Sequence, residues 1–382
     1  MSYFNYYRTN VQSTSSANGN VMGTCFEMCP QHEVAMREKE RMVHVLEVMG
    51  PNRRLVKTFS RSAADVNMAV PSLLRPYDVL HKTVQYLLVT KRTDVPSSVL
   101  YDFLNDRLRA VRQDMTIQRL PPNHCVELLE PMIRFYVYYG YKLCELPLKD
   151  YDPVLNKKYL LECLKWYLSC CEGITQKDSC DAADQLSACL SNLSTNVNKN
   201  NRVLVESLYI LCNLEDVHPL VRFLNLPKHL KKDPSLQLAY RIATANSKGN
   251  FVRVCKLMEE LSPLAYCAFL LPLYQSIRRA LLILSHGYSS KQLSVPLAAL
   301  ARWLRASPPD AEATCRHYGL TVHGEDVYFT KTQFVGGADT WTRRDFVRVH
   351  LLYSYLPSFY FLINLPLESL YLLLKPASKS VA

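Results

Sequence analysis

Four side chains able to ligate a metal or react as thiols lie close together near the start of the chain. Cys25 and Cys29 fall within GTCFEMCPQH, His32 closes that stretch, and His44 follows one helix later. Zinc takes four ligands, usually as two closely spaced pairs. The stretch itself offers three, and His44 would have to fold back from its helix. A C-x3-C pair is not the C-x2-C of a thiol–disulfide site. His32-Glu33 begins like a metalloprotease helix, but Met36 stands where the second histidine is needed. Metal, thiol and structural roles all remain open on spacing alone, and neither the metal nor the redox motif is complete.

Other chemistry is cationic. RRLVKTFSR places Arg53, Arg54, Lys57 and Arg61, with Arg75 nearby, around Phe59. Basic residues interleaved with an aromatic can track a phosphate backbone and stack a base, or can pair with acids on adjoining helices. In LRAVRQDMTIQ, Arg109, Arg112 and Asp114 flank an apolar stripe without a nucleophile or second carboxylate beside them, which suits Arg–carboxylate clamps between helices. Near the C-terminal end, Lys291, Arg302, Arg305, Arg316, His317 and Lys331 are candidates for a nucleic-acid-binding face. The sequence holds no P-loop, GxGxxG, GxSxG or completed HExxH, so no catalytic residue, metal site or cofactor is expected.

The elements that must carry these groups read as helices. The 382 residues are 48% hydrophobic and 21% charged, ordinary for a globular protein, and only 11 glycines argue against an all-β fold or a glycine-rich nucleotide site. Prolines delimit the helix-period segments: 31–49, a stretch opened by Pro71 and Pro76, one from Pro96 to about 120, then about 123–144, 154–172, 179–193 and 201–213. Tyr101, Leu104, Leu108, Val111 and Met115 keep a three-to-four spacing. Within 233–286, DPSLQLAYRIATANSKGNFVRVCKLMEEL reads as a helical hairpin about a short Lys-Gly-Asn turn, in which Ala239, Ala243 and Ala245 permit close approach. After 290 the pattern becomes helix, helix and a β-hairpin turning at His323–Asp326, the order of a winged helix. A helical array followed by a winged helix is the order of PCI-type scaffold domains.

Forty-five Lys plus Arg against 34 Asp plus Glu give a formal charge of +11, which suits an acidic partner such as RNA or DNA. The polar first twenty residues form no secretory h-region, so the thirteen cysteines are expected as reduced thiols of a cytosolic or nuclear protein. LLYSYLPSFYFLINLPL, about 17 residues at 351–367, approaches the length of a membrane span. Pro357, Asn364 and Pro366 within it favour a buried or partner-covered tail, and no membrane is expected.

Several blocks in order resemble the Sac-three/GANP family of messenger-RNA export scaffolds. They are GTCFEMCP with the following ERM, KTFSRSAA (57–64), LRPYDVLHKTVQYLL (74–88), LRAVRQDMTIQ (108–118) and IRFYVYYGYKL (133–143). The resemblance covers about 23 to 340, and the length points to a short member with a single Sac domain. SNLSTNVNKNNR (191–202) departs from it in being more polar.

The resemblance implies a mainly α fold: a disordered tail at 1–22, an irregular helical-hairpin (TPR-like, PCI-type) array at 23–286, a winged helix with a small β-hairpin at 287–340, and a helical tail at 341–382. It implies that Cys25, Met28, Cys29, Pro30, Phe59, Arg61, Ser62, Arg109, Arg112 and Asp114 are structural signature residues, with Cys25, Phe26, Met28 and Cys29 packed into the array. It further implies a non-catalytic scaffold that pairs with a PCI-type subunit and a small acidic subunit. Such a scaffold presents a basic surface to nucleic acid in nuclear mRNA processing or export, in nucleus and cytoplasm. The alternative is a centrosome or spindle adaptor acting in centrosome duplication and spindle assembly. Phe346, Val349 and Tyr353, at i, i+3 and i+7 of a basic amphipathic helix, would then suit a centrin-type EF-hand partner.

Overall fold

The computed structural model describes residues 21–48, 54–60, 70–89, 95–180, 202–290 and 292–336. The chain is mainly helical and falls into two compact units. Of the described residues, 21–48, 54–60, 70–89, 95–139 and 149–180 belong to the first, and 140–148, 202–290 and 292–336 to the second.

The first unit begins with an extended arm leading to Pro30, which caps helix α1 (Gln31–Lys39). The helix expected over 31–49 is interrupted: Arg41 takes a left-handed φ of 55°, and helix resumes only as the single turn α2 (Val45–Val48). An extended segment at 54–60 and a 3-10 turn (Pro71–Leu73) precede α3 (Tyr77–Val89). Pro96, extended at φ −55° and ψ 141°, opens α4 (Ser97–Gln118). Pro suits this end because its missing N–H has no intrahelical acceptor there. Arg119, left-handed at φ 53°, closes α4 by returning its N–H to the carbonyls of Met115 and Thr116.

Helices α5 (Pro122–Lys142) and α6 (Pro153–Cys180) follow; α6 runs on past the end expected near 172. Tyr101, Phe135, Tyr139 and Tyr151 share an aromatic core, with neighbouring ring centroids 4.8–5.7 Å apart. Burying such rings contributes more per residue than aliphatic packing does.

In the second unit, helix α7 spans 202–212, followed by α8 (His218–Asn225) and the short α9 (Lys228–Lys231). The expected hairpin is formed by α10 (Pro234–Ser247) and α11 (Phe251–Leu257). Asp233 caps α10 through the N–H groups of Ser235 and Leu236, and Asn250 caps α11 through that of Arg253. Between them Gly249, at φ 69°, donates to Asn246 while Asn250 donates to Ala245; this paired closure favours glycine. Ala239, Ala243 and Ala245 are buried, as close helix approach requires.

Helix α12 (Pro263–Gly287) is, among the described residues, long and apolar enough to cross a membrane, but most of its apolar stretch is buried in this unit. The unit ends with β1 (Ser294–Pro296), α13 (Leu297–Leu304), α14 (Pro308–His317), β2 (Thr321–His323) and β3 (Asp326–Tyr328). The three strands are antiparallel in the order β1-β3-β2, with Val295 and Val322 both opposite Val327. These three valines are buried together with Leu300, Leu304, Cys315 and Tyr318, contributed by the two helices and the turn after α14. The sequence pattern anticipates the β2–β3 hairpin; β1 is too short for alternation to register.

Candidate functional site

The GTCFEMCP arm is held by its backbone. Thr24 N–H donates to the Pro71 carbonyl at 2.8 Å and Cys25 N–H to that of Leu74 at 3.0 Å. Gly23 N–H donates to Gln118 Oε1 at 2.8 Å, and Gln118 Nε2 donates to the Arg75 carbonyl. Gly23 is required because a Cβ there would lie 2.4 Å from the Leu74 carbonyl oxygen. Cys25 and Cys29 are buried, and Pro30 is buried at the start of α1. Burial and the nearby Glu33 push the Cys29 thiol up to about 12, and burial raises Cys25 as well, so neither is poised as a thiolate. His32 is exposed, and among the described residues no group of three or more His, Cys, Asp or Glu could hold a metal. The arm departs from expectation at Phe26, which is 77% exposed: only alternate residues of an extended segment can face the unit beneath it.

Below the arm lies a buried ion network. Asp114 on α4 accepts from Lys57 Nζ at 2.6 Å and from Arg75 Nε at 2.7 Å. Lys57 also donates to the Leu73 carbonyl, and Arg75 to that of Met28, so the arm, the 54–60 segment and α4 converge here. Lys57 is therefore not available to nucleic acid as expected: it is 8% exposed and serves a carboxylate inside the protein.

A second carboxylate, Glu47, is bonded by Arg37 and by Arg107 Nη2 at 3.3 Å, and accepts from the N–H groups of Val56 and His44. Burial raises the Glu47 carboxyl, but the Val56 N–H, Arg107 and Arg37 outweigh it and hold the group below its usual value. Burial likewise works against the Arg37 cation, and Glu47 reverses the effect. Burial and Arg107 lower His44.

Arg37, Glu47, Arg107 and Gln118 escaped the sequence reading, and Arg75 was noted only as a neighbouring cation. A usable signal existed on α4, where Leu100, Leu104, Arg107, Val111, Asp114 and Gln118 follow one three-to-four spacing and all are buried. Polar residues set into an apolar stripe must find partners inside the protein. The signal for Glu47 was absent, because its single helical turn is too short to show a period.

Arg112 and Arg109 diverge. Arg112 Nη1 pairs with Glu162 of α6 at 3.2 Å, a clamp of the expected kind. Arg109 instead stacks on rings, its guanidinium carbon 3.8 Å from the centroid of Phe59 and 4.8 Å from that of Tyr159. Arg54 is exposed and lies 5.1 Å from the Tyr86 ring centroid.

The residues expected to form a nucleic-acid face in the second unit differ in their surroundings. Arg302 and Arg305 follow Ala298 at i+4 and i+7 along the exposed side of α13. Arg305, left-handed at φ 54°, lies 3.8 Å from Glu259, and Arg316 Nη2 pairs with Glu312 at 2.7 Å. His317 is half-buried, its ring 4.9 Å from that of Tyr318. Arg302 and Lys331 are exposed, with no carboxylate in ion-pair reach among the described residues.

Arg53, Arg61, Ser62 and Lys291 lie outside the described residues. So do Phe346, Val349 and Tyr353, the 351–374 stretch, the SNLSTNVNKNNR segment except Arg202, and the 179–193 helix beyond Cys180.

Comparison with known proteins gives a match to the SAC3/GANP family model over residues 28–324. The chain is 27% identical over 326 residues to Protein xmas of Drosophila melanogaster, covering 80% of this chain and 15% of that protein. It is 25% identical over 338 residues to SAC3 family protein B of Arabidopsis thaliana, covering 84% and 19%. With SAC3 family protein 1 of Schizosaccharomyces pombe it shares 27% identity over 344 residues, covering 82% and 32%. The chain thus spans less than a third of the length of each of these relatives.

Proposed function

The chain belongs to the SAC3/GANP family, and on that premise we propose that it is a non-catalytic scaffold of nuclear mRNA processing and export. It pairs with a PCI-type subunit and a small acidic subunit, and presents a basic surface to RNA. The observation that carries this reading is the extent of the family match, which runs from Met28 in the docked arm to Gly324 in the β2–β3 turn. In this reading the strand–helix–helix–hairpin order of β1 to β3 is a winged helix that closes a PCI-type helical array. One edge of the winged helix takes the partner while Arg302 and Lys331 face phosphate.

The physical mechanism is multivalent. Helical faces bury the partner, and each Lys or Arg that meets a phosphate releases condensed counterions. The protein then resides in nucleus and cytoplasm, wherever the complex meets its RNA.

A tagged full-length chain recovered from nuclease-treated and untreated extract, with its companions identified by mass spectrometry, tests the assignment. A PCI subunit and a small acidic protein that survive nuclease treatment support the scaffold. Recovery of centrin or spindle components without those subunits would replace it with the centrosomal adaptor.

A further inference from the structure

Arg109 is the one arginine of the RAVRQD block that the ion pairs of α4 leave out. Its flat group lies against Phe59 of the 54–60 segment and Tyr159 of α6. The acids one turn away are already engaged. Asp106 accepts from the Phe59 N–H and pairs with Arg107, while Glu162 pairs with Arg112. Stacking covers the faces of a guanidinium but leaves its N–H donors, which lie in the plane, in need of acceptors. A buried donor without a partner lies beside it. Arg112, 5.4 Å from the same Tyr159 ring, has a buried Nε with no hydrogen-bond partner among the described residues. Lys158, exposed and adjacent to Tyr159 on α6, adds another positive charge.

We infer that the Arg109 stack is an oxyanion receptor, and that its ligand is the phosphodiester of a single RNA strand lying against α4 and α6. A stacked guanidinium is pre-organised to grip two phosphate oxygens at once, and Lys158 supplies a point charge for a neighbouring phosphate. The formal charge of +11 favours a polyphosphate over a neutral ligand. This inference rests on the reading of the protein as an RNA-presenting scaffold, but it assigns a contact to residues of the first unit, whereas Arg302 and Lys331 belong to the second.

The test is fluorescence anisotropy of the full chain with a short, unstructured, labelled RNA over a range of salt, with an oligoglutamate peptide as second probe. Arg109→Gln is expected to weaken RNA binding about fivefold and to lower the salt slope by about 0.7, the share of one single-strand phosphate. Arg109→Lys keeps the charge and so keeps the slope, but recovers only part of the affinity because the two-pronged grip is lost. That split separates a phosphate contact from a merely structural role, and Arg109→Lys decides the matter if Arg109→Gln melts several degrees lower.

Unchanged RNA binding by the Arg109 variants, alongside loss in Arg302→Glu with Lys331→Glu, overturns this inference and leaves the scaffold reading standing. Oligoglutamate binding that depends on Arg109 while RNA binding does not would overturn it in favour of an acidic protein partner. A native chain that binds no RNA removes the RNA reading and this inference together.

Discussion

Arginines in the first unit and arginines at the sheet-bearing end of the second have opposite fates. Arg37, Arg75 and Arg107 are almost wholly buried and spent on Glu47 and Asp114. Arg302 and Arg316 are exposed, and Arg316 pairs with Glu312 on its own helix. The contrast teaches that local sequence does not decide what a cation does. RRLVKTFSR resembles a phosphate-tracking segment as closely as any stretch of the chain, yet its Lys57 holds the core together.

The sharpest way to break that comparison is to remove the central acid. Asp114→Asn leaves Lys57 and Arg75 buried without their counter-charge and is expected to cost about 3–5 kcal/mol. Arg302→Gln should stay within about 0.5 kcal/mol. Urea unfolding of the two variants measures both, and a loss below about 1 kcal/mol for Asp114→Asn would sink the claim that this network holds the unit.

Gly23→Ala comes next. Its added methyl would meet the Leu74 carbonyl, so the arm must shift and about 1–3 kcal/mol is lost. Gly287→Ala, with nothing within 4 Å of the added carbon, serves as the matched control. Equal melting temperatures for the two would show that the arm is not closely docked.

Acid should expose the same difference between regions. Glu47 is held below the ordinary carboxyl value of 4.5, so the stability it contributes is complete above that pH and is lost as pH falls through its lower folded value. His44 is held below 6.5; charging it as pH falls through its lowered folded value acts in the same direction. Stability should therefore decline on acidification, and Glu47→Gln, though less stable at neutral pH, should show a shallower decline below about pH 5. An identical slope in both proteins would exclude Glu47 as a source.

The smallest effect concerns the exposed cations. Reversing Arg302 or Lys331 should flatten the salt dependence of RNA binding by about 0.7 per phosphate lost. Arg316→Glu should do less, because Glu312 already balances that charge. Salt titrations that rank Arg316 above Arg302 would reverse the assignment of the open face.

Much of this architecture was legible beforehand, for identifiable reasons. Helix α4 announced itself through Pro96 and an apolar stripe, and the α10–α11 hairpin through its short turn and small residues, because these signals act within a few residues. The break after α1 and the three-residue β1 were not legible, since neither is long enough to show a period. Phe26 was misplaced because an extended arm alternates its faces, and which face meets the protein depends on register with Pro71 and Leu74.

The sequence by itself determined that the chain is helical, where most helices start, that its charge favours an acidic partner, and which family it resembles. Each follows from local propensity, composition or the order of short motifs. Only the tertiary structure decided that Asp114 joins Lys57 and Arg75, that Glu47 joins Arg37 and Arg107, and that Arg109 is left with aromatic neighbours instead of an acid. An ion pair depends on distances of a few ångströms between residues tens of positions apart, and nothing in the spacing of either segment records how the chain brings them together.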